Sequence, residues 1–234
     1  MEHTVDILVF GAHADDAEIG MGGTIAGHAS RGIKVGICDL TRSEMSSNGN
    51  VDLREQEAEQ AAKILGLSYR GCLGLPDRGL TGDAEQLAAV TREIRLRRPR
   101  IVFAPYWQDR HPDHNACSAI VEEAVFNAKL RRYLPELPPV VVEQLIYYYI
   151  NDQRDLALTV DISDMIQLKI DALGAYRSQF DPINDGDRVE TPLTQGYVRR
   201  VEYRDYLTGQ AAGCDYAEGF ALKRPHKVST FIHS

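Results

Sequence analysis

The strongest constraint in this chain is a repeated alternation of short apolar runs with longer stretches of helical period. Residues 6–11 (Asp-Ile-Leu-Val-Phe-Gly) form an apolar run closing in glycine, the pattern of a buried strand. Residues 18–31 follow as a helix rich in small residues, with Ile19, Ile25, Ala26 and Ala29 along one stripe. Residues 34–40 and 100–104 repeat the buried-strand pattern, and 69–73 reads as a shorter strand. Between them, helices are expected over 52–65, from a capping-box step Asp52-Leu-Arg-Glu55 to a stop at Gly66, and over 83–97; a further helix runs from about Pro112 to Ala128. This rhythm builds an α/β, Rossmann-like fold: a mostly parallel sheet with helices on both faces, joined by right-handed crossovers. Beyond Pro135 the rhythm changes to an aromatic strand-like run over 140–150, a short strand over 158–162 and a helix over 164–176. Residues 178–196, rich in Asp, Gly, Pro and Thr, read as a long loop. With no internal repeat, low-complexity tract or linker, residues 1–234 read as a single domain.

Charge and cysteine usage narrow the function classes. The 26 basic and 34 acidic side chains leave a net charge of −8, which argues against nucleic-acid or anionic-membrane partners. The basic clusters at 95–100 and 129–132 read as charged faces of surface helices. Cysteines 38, 72, 117 and 214 are far apart with no C-x-x-C pair, so reduced thiols are expected and neither a disulfide scaffold nor a thiolate metal site. The N-terminus lacks a basic segment followed by an apolar one, and no run nears the roughly 18 apolar residues that span a bilayer. A cytoplasmic protein is expected.

Two polar clusters follow strands in this pattern. The first is Gly11-Ala-His13-Ala-Asp15-Asp16, directly after the first strand; the second is Asp109-Arg-His111-Pro-Asp113-His114, just past the strand ending near Ala104. Open α/β sheets bind ligands beyond the carboxyl ends of their strands, so both clusters are expected on one sheet edge. Imidazole nitrogen and carboxylate oxygen suit zinc, and a catalytic zinc commonly takes three protein ligands plus water. One His and the neighbouring Asp from the first cluster, with one His from the second, supply such a set. Pro112 holds His111 extended and suits the first position of the following helix, which places His111 in the loop and His114 in the first helical turn. Adjacent Asp15 and Asp16 point apart, so one is available to bind metal while the other stays free.

These clusters resemble the metal motifs of the PIG-L/LmbE-like family of zinc-dependent N-acetylglucosamine deacetylases. The usual first motif, A-H-P-D-D, appears here as Ala12-His13-Ala14-Asp15-Asp16, with alanine in place of proline, and H-P-D-H stands intact at His111-Pro112-Asp113-His114. The resemblance extends to Ile19-Gly20-Met21-Gly22-Gly23-Thr24, Arg54-Glu55-Gln56-Glu57 and Ala217-Glu218-Gly219-Phe220. It implies one zinc ion per chain held by His13, Asp16 and His114, with Asp15 as general base. Protonated His111 would join the metal in stabilising the oxyanion, and either Asp15 or His111 would protonate the leaving amine. Asp113 is placed either to orient His111 or to serve the helix start. For Arg54 the resemblance implies contact with substrate hydroxyls or a polar group near the metal, pairing with Glu55 or Glu57 being the alternative. For Tyr197 it implies holding the reaction intermediate, with loop packing as the alternative.

The Ala-His-Ala-Asp-Asp variant and Tyr176-Arg-Ser-Gln-Phe look most like the branch that deacetylates N-acetylglucosaminyl malate in bacillithiol biosynthesis. In that reading Arg110 would meet the malate carboxylates. The partner implied is a small N-acetylglucosamine conjugate, and the assembly a homo-oligomer, with a hexamer as one arrangement. The alternatives are deacetylation of chitooligosaccharides or another N-acetyl sugar, and, in a different class, a non-catalytic metal-assisted sugar- or nucleotide-binding module. Gly20, Gly22 and Gly23 lack a P-loop's Gly-Lys-Ser/Thr ending and are expected to permit close helix–sheet packing. His3, His28, His226 and His233 fit no cluster and are expected at the surface.

Overall fold

The computed structural model describes residues 4–181 and 188–225. The first strand, β1 (Ile7–Gly11), lies inside the sheet, and its five residues are all buried because both of its faces are covered. Its side chains alternate: Ile7 and Val9 pack into one core, while Leu8 and Phe10 pack into the other. On one side of β1 lies β2 (Val35–Thr41), followed by β3 (Tyr69–Leu75) at the edge. On the other lie β4 (Ile101–Pro105) and β5 (Gln144–Tyr148). These five strands are parallel. Two more extend the sheet, β7 (Ala217–Ala221) and then β6 (Leu158–Asp161) at the far edge, with β7 antiparallel to both of its neighbours. The resulting order, β3-β2-β1-β4-β5-β7-β6, is the expected Rossmann-like sheet, and its order reverses between β1 and β4.

One face is covered by α1 (Asp16–Ser30), α2 (Val51–Leu65) and α5 (Ile166–Ala175), whose apolar residues join Val9, Ile37 and Tyr148. The opposite face carries α3 (Ala84–Arg97) and α4 (Pro112–Ala128), packed over Leu8, Phe10 and Val102. The chain also forms a single turn, α6 (Arg177–Phe180), and α7 (Tyr197–Ala212). Among the described residues no helix is long and apolar enough to cross a membrane.

Several local expectations shift. The start of α2 is capped by Asn50, whose side chain accepts from the Leu53 N–H, rather than by Asp52. Gly66 ends that helix with φ 71°, as expected of a left-handed stop. The run 140–150 is strand only over Gln144–Tyr148. The helix α7 and strand β7 have no counterpart among the expected elements, and α6 overlaps the start of the expected loop, of which residues 182–187 lie outside the described residues. His3, His226 and His233 lie outside them as well, and His28 is partly buried with Nδ1 2.7 Å from the Thr24 carbonyl.

The glycines of α1 are explained by contact. A Cβ on Gly20 would lie 2.1 Å from the Tyr148 ring, and one on Gly23 would lie 2.8 Å from Ile162. The helix kinks at Met21 (φ −151°), and the Glu218 carboxylate accepts from the freed Gly23 and Thr24 N–H groups at 2.9 and 2.7 Å. Lys169, with no exposed surface, bridges Glu218 and Asp205 at 2.6 Å each, so the buried charges are paired.

The basic cluster at 95–100 is not uniformly a surface face. Arg95 is only 2% exposed. Its guanidinium reaches from α3 across to the end of α4 and donates to five backbone carbonyls, those of Asn127, Ala128, Leu130, Leu134 and Leu137. The last turn of α4 has no basic residue of its own, so Arg95 supplies its C-terminal donors and positive charge.

Candidate active site

Both polar clusters lie at the carboxyl ends of β1 and β4, the adjacent strands between which the sheet order reverses. The backbone turns sharply after β1: Asp15 has φ 124°, a left-handed conformation that a side chain disfavours. That turn sends Asp15 and Asp16 in different directions. Asp16 Oδ2 accepts from the Ala12 and His13 N–H groups at 2.9 Å each, which locks its carboxylate in place. From there Asp16 Oδ1 lies 3.1 Å from His114 Nε2, and Oδ2 lies 3.6 Å from His13 Nδ1. At the start of α4, His111 is the extended N-cap and Pro112 the first helical residue, so His114 sits one turn in. The rings of His13, His111 and His114 gather with centroids 4.7 to 5.6 Å apart.

Asp15 points instead toward α2. It is 4% exposed, and its Oδ2 lies 2.9 Å from Arg54 Nη2, an ion pair whose alignment falls outside hydrogen-bond geometry. Arg54 spends its Nε and Nη2 on the Ala14 carbonyl at 2.9 and 2.5 Å, clamping the turn that carries Asp15. Neither Glu55 nor Glu57 is its partner: Glu55 pairs with Arg42, and Glu57 accepts from Ser178. Burial pushes the Asp15 carboxyl up to about 7; Arg54 pulls it down, and neighbouring Asp16 pushes it further up.

The environment of the imidazoles is strongly acidic. His13 Nε2 lies 3.1 Å from Asp77 and 3.6 Å from Asp113, and His114 Nδ1 lies 2.9 Å from Asp109. Burial opposes the charge of both imidazoles, yet the carboxylates hold His13 well above its ordinary value and His114 at about 9. His111 differs. Burial, together with the positive charge of His114 and His13, moves it below its ordinary value, so the neutral ring is favoured. Its Nδ1 accepts from the Asp113 N–H at 3.2 Å, which leaves the ring proton on Nε2. The Asp113 carboxylate does not orient that ring; it accepts from the Arg78 N–H and Nη1 at 2.8 Å each and faces His13.

A divalent cation fits this donor set. Four carboxylates, Asp16, Asp77, Asp109 and Asp113, face two imidazoles in a largely buried space, an excess of negative charge that a cation would balance. The ligand atoms of His13, His111 and His114 lie within 4.8 Å of one another, as do those of His13, Asp77 and Asp113. Asp16 touches the first and last of those three histidines.

A cleft of about 630 Å³ opens over the cluster. Arg110 and Tyr197 line it, as do Met45–Asn48 from the loop after β2 and Thr191–Leu193 from the segment before α7. Tyr197 opens α7 and donates its hydroxyl to the Ile150 carbonyl at 3.2 Å and to Asn151 Oδ1 at 3.1 Å. Arg110 is exposed, with Nε 3.0 Å from Asn151 Oδ1. Asp77, Asp109 and Asn151 have no role in the motifs alone. Asp77 lies two residues beyond β3 and Asn151 three beyond β5, so the same rule of strand ends that located the two clusters points to them.

The profile of the family described as PIG-L, GlcNAc-PI de-N-acetylase, matches residues 8–125, half of the chain and both polar clusters. The chain belongs to the PIG-L family. A diacetylchitobiose deacetylase of Thermococcus kodakarensis is 31% identical over 228 residues, covering 91% of this chain and 81% of its own length. A probable N-acetyl-alpha-D-glucosaminyl L-malate deacetylase 2 of Bacillus subtilis is 30% identical, with 84% and 86% covered. Among solved structures, the conserved protein TT1542 of Thermus thermophilus superposes with a TM-score of 0.89 at 38% identity, over 99% of this chain and 100% of its own. The fold of this PIG-L chain is thus matched along its described length, including the elements after Pro135 that break the alternating pattern.

Proposed function

We propose that this PIG-L chain is a zinc-dependent hydrolase that removes the acetyl group from an N-acetylglucosamine conjugate. The observation that carries the reading is a free carboxylate beside a metal-ligand set. His13 and His114 both lie against Asp16, the three residues we propose as ligands, while strained, buried Asp15 is turned away from them and held against Arg54 at the cleft. A non-catalytic ion site has no use for such a carboxylate. The names of the relatives, deacetylases of N-acetylglucosamine compounds matched over most of their length, support the same chemistry.

When bound, zinc supplies an electrophile for the acetyl carbonyl and makes water acidic enough to be deprotonated near neutral pH. The residues divide the remaining work. Asp15 takes the proton of the attacking water as its oxygen bonds to the carbonyl carbon. His111 donates from Nε2 to the oxygen on which negative charge develops. Asp15 then returns the proton to the amide nitrogen as the C–N bond breaks, releasing acetate and the free amine. Arg54 positions Asp15, and Asp109 fixes the imidazole of His114.

Within this class we infer the malate conjugate as substrate. An exposed guanidinium, Arg110, stands at the cleft and suits a carboxylate-bearing aglycone. The test is release of primary amine from N-acetylglucosaminyl malate, N,N'-diacetylchitobiose and the methyl glycoside of N-acetylglucosamine. Preference for the malate conjugate supports the finer reading, equal rates refute it, and no amine from any of them refutes the deacetylase.

A further inference from the structure

The amide of Asn151 joins three parts of the cleft that come from different elements. Its Nδ2 donates to both oxygens of Asp109, at 2.8 and 3.0 Å, and Asp109 Oδ1 lies 2.9 Å from His114 Nδ1. On the opposite side, Asn151 Oδ1 accepts from Arg110 Nε at 3.0 Å and from the Tyr197 hydroxyl at 3.1 Å. The chemistry of the neighbours dictates the amide's orientation. A carboxylate only accepts and a guanidinium only donates, so a flipped amide would oppose like groups at both ends. Both faces of the amide are spent on protein, so Asn151 acts by placing other residues.

We propose that Asn151 is a positioning residue whose single amide sets both the metal-facing orientation of His114 and the placement of Arg110 and Tyr197 against the substrate. The proposal rests on the deacetylase reading for its substrate half only. On the metal side, Asp109 already serves the His111 N–H at 2.8 Å and the His114 ring, and Asn151 holds the carboxylate from its remaining side. Holding Nδ1 of His114 through Asp109 keeps Nε2 aimed at Asp16, where the ion would be held. On the substrate side, Asn151 is the hydrogen-bond partner of Arg110 among the described residues, anchoring an otherwise exposed and flexible side chain. Tyr197 is held by the same oxygen and by the Ile150 carbonyl. Asn151 follows β5, the strand beside β4, so one residue on the ligand edge of the sheet reaches the loop before α4 and the start of α7 together.

Two substitutions separate the halves. Asn151→Asp keeps an acceptor for Arg110 and Tyr197 but sets a carboxylate against Asp109. Asn151→Ala removes both. Zinc affinity of the full-length chain, read by competition with a chromophoric chelator without substrate, is expected to fall about ten- to a hundredfold in both variants. At saturating zinc, Asn151→Asp is expected to lower kcat while KM for the malate conjugate stays within about twofold. Asn151→Ala is expected to raise KM about tenfold, the loss of one charge-assisted contact of about 1.4 kcal/mol. Arg110→Ala should reproduce that rise in KM with wild-type zinc affinity, which a merely structural defect would not do. Wild-type zinc affinity in Asn151→Asp would overturn the metal half; an unchanged KM in Asn151→Ala would overturn the substrate half. Failure of the wild-type protein to deacetylate any sugar would strike the proposed function alone, because the zinc measurement needs no turnover.

Discussion

Replacing Arg95 by Met tests whether a helix end is held by a neighbour's side chain. The substitution keeps much of the apolar stem and removes five N–H donors. Asn127 and Ala128 are buried; their carbonyls keep the Leu130 and Val140 N–H groups and lose a charge-assisted hydrogen bond, about 1.5–3 kcal/mol each. Leu130, Leu134 and Leu137 are partly or largely exposed, and their carbonyls can turn to water at smaller cost. Loss of the cation at the C-terminus of α4 adds roughly 0.3–1 kcal/mol. The total is about 4 kcal/mol, which in a chain of this size lowers Tm by roughly 8–16 °C. Arg95→Lys retains the charge and at most three donors, and should fall between. The active site is attached to the other end of the helix: His114 and Ala128 are fourteen residues apart, about 21 Å along the axis. Urea and thermal unfolding measure the loss; turnover at 25 °C should stay within about twofold of wild type, because the effect on the distant site is well under 1 kcal/mol. A loss of stability below about 1 kcal/mol in Arg95→Met, an ordinary surface value, would refute the carbonyl-cage argument.

Further outcomes follow from the same geometry. Asp15→Asn should lower kcat by about 10²–10⁴ while zinc content measured by elemental analysis is retained; near-wild-type turnover would remove Asp15 as the base. In the wild-type protein the base must be ionised, and the Asp15 carboxyl stands at about 7, so kcat/KM should rise with pH through that region. Arg54 holds this value down, so Arg54→Met should move the rising limb to higher pH, and a limb that stays in place or moves lower would contradict the pairing. Prolonged dialysis against a chelator should abolish deacetylation and added zinc should restore it; activity indifferent to chelation would exclude the metal reading. Gly20→Ala drives a methyl into the Tyr148 ring and should destabilise by about 1–3 kcal/mol, as overpacking does, measurable as a fall in urea midpoint.

The sequence by itself determined the parallel part of the sheet and the edge on which the two His/Asp clusters meet. The parallel strands before Pro135 were legible because strands covered on both faces are largely apolar, as Ile7–Gly11 is throughout and Val35–Leu40 is apart from Asp39. The two His/Asp clusters were legible because parallel strands bring their carboxyl ends to one edge however far apart they lie in the chain. Elements after Pro135 were harder to read. The strand β7 packs antiparallel to its neighbours, and its Glu218 is a buried charge that satisfies the kink of α1, which no periodicity announces. What only the tertiary structure decided was the partner of each polar group. Asp15 faces Arg54 rather than the cluster of His13, Asp16 and His114, Asp113 faces Arg78 and His13 rather than the His111 ring, Asn151 joins Asp109 to Arg110, and Arg95 caps a helix from outside it. Apolar burial has no direction, so a one-dimensional pattern suffices to record it. Hydrogen bonds and ion pairs depend on distances of about 3 Å between atoms remote in sequence, and those are set only when the elements pack.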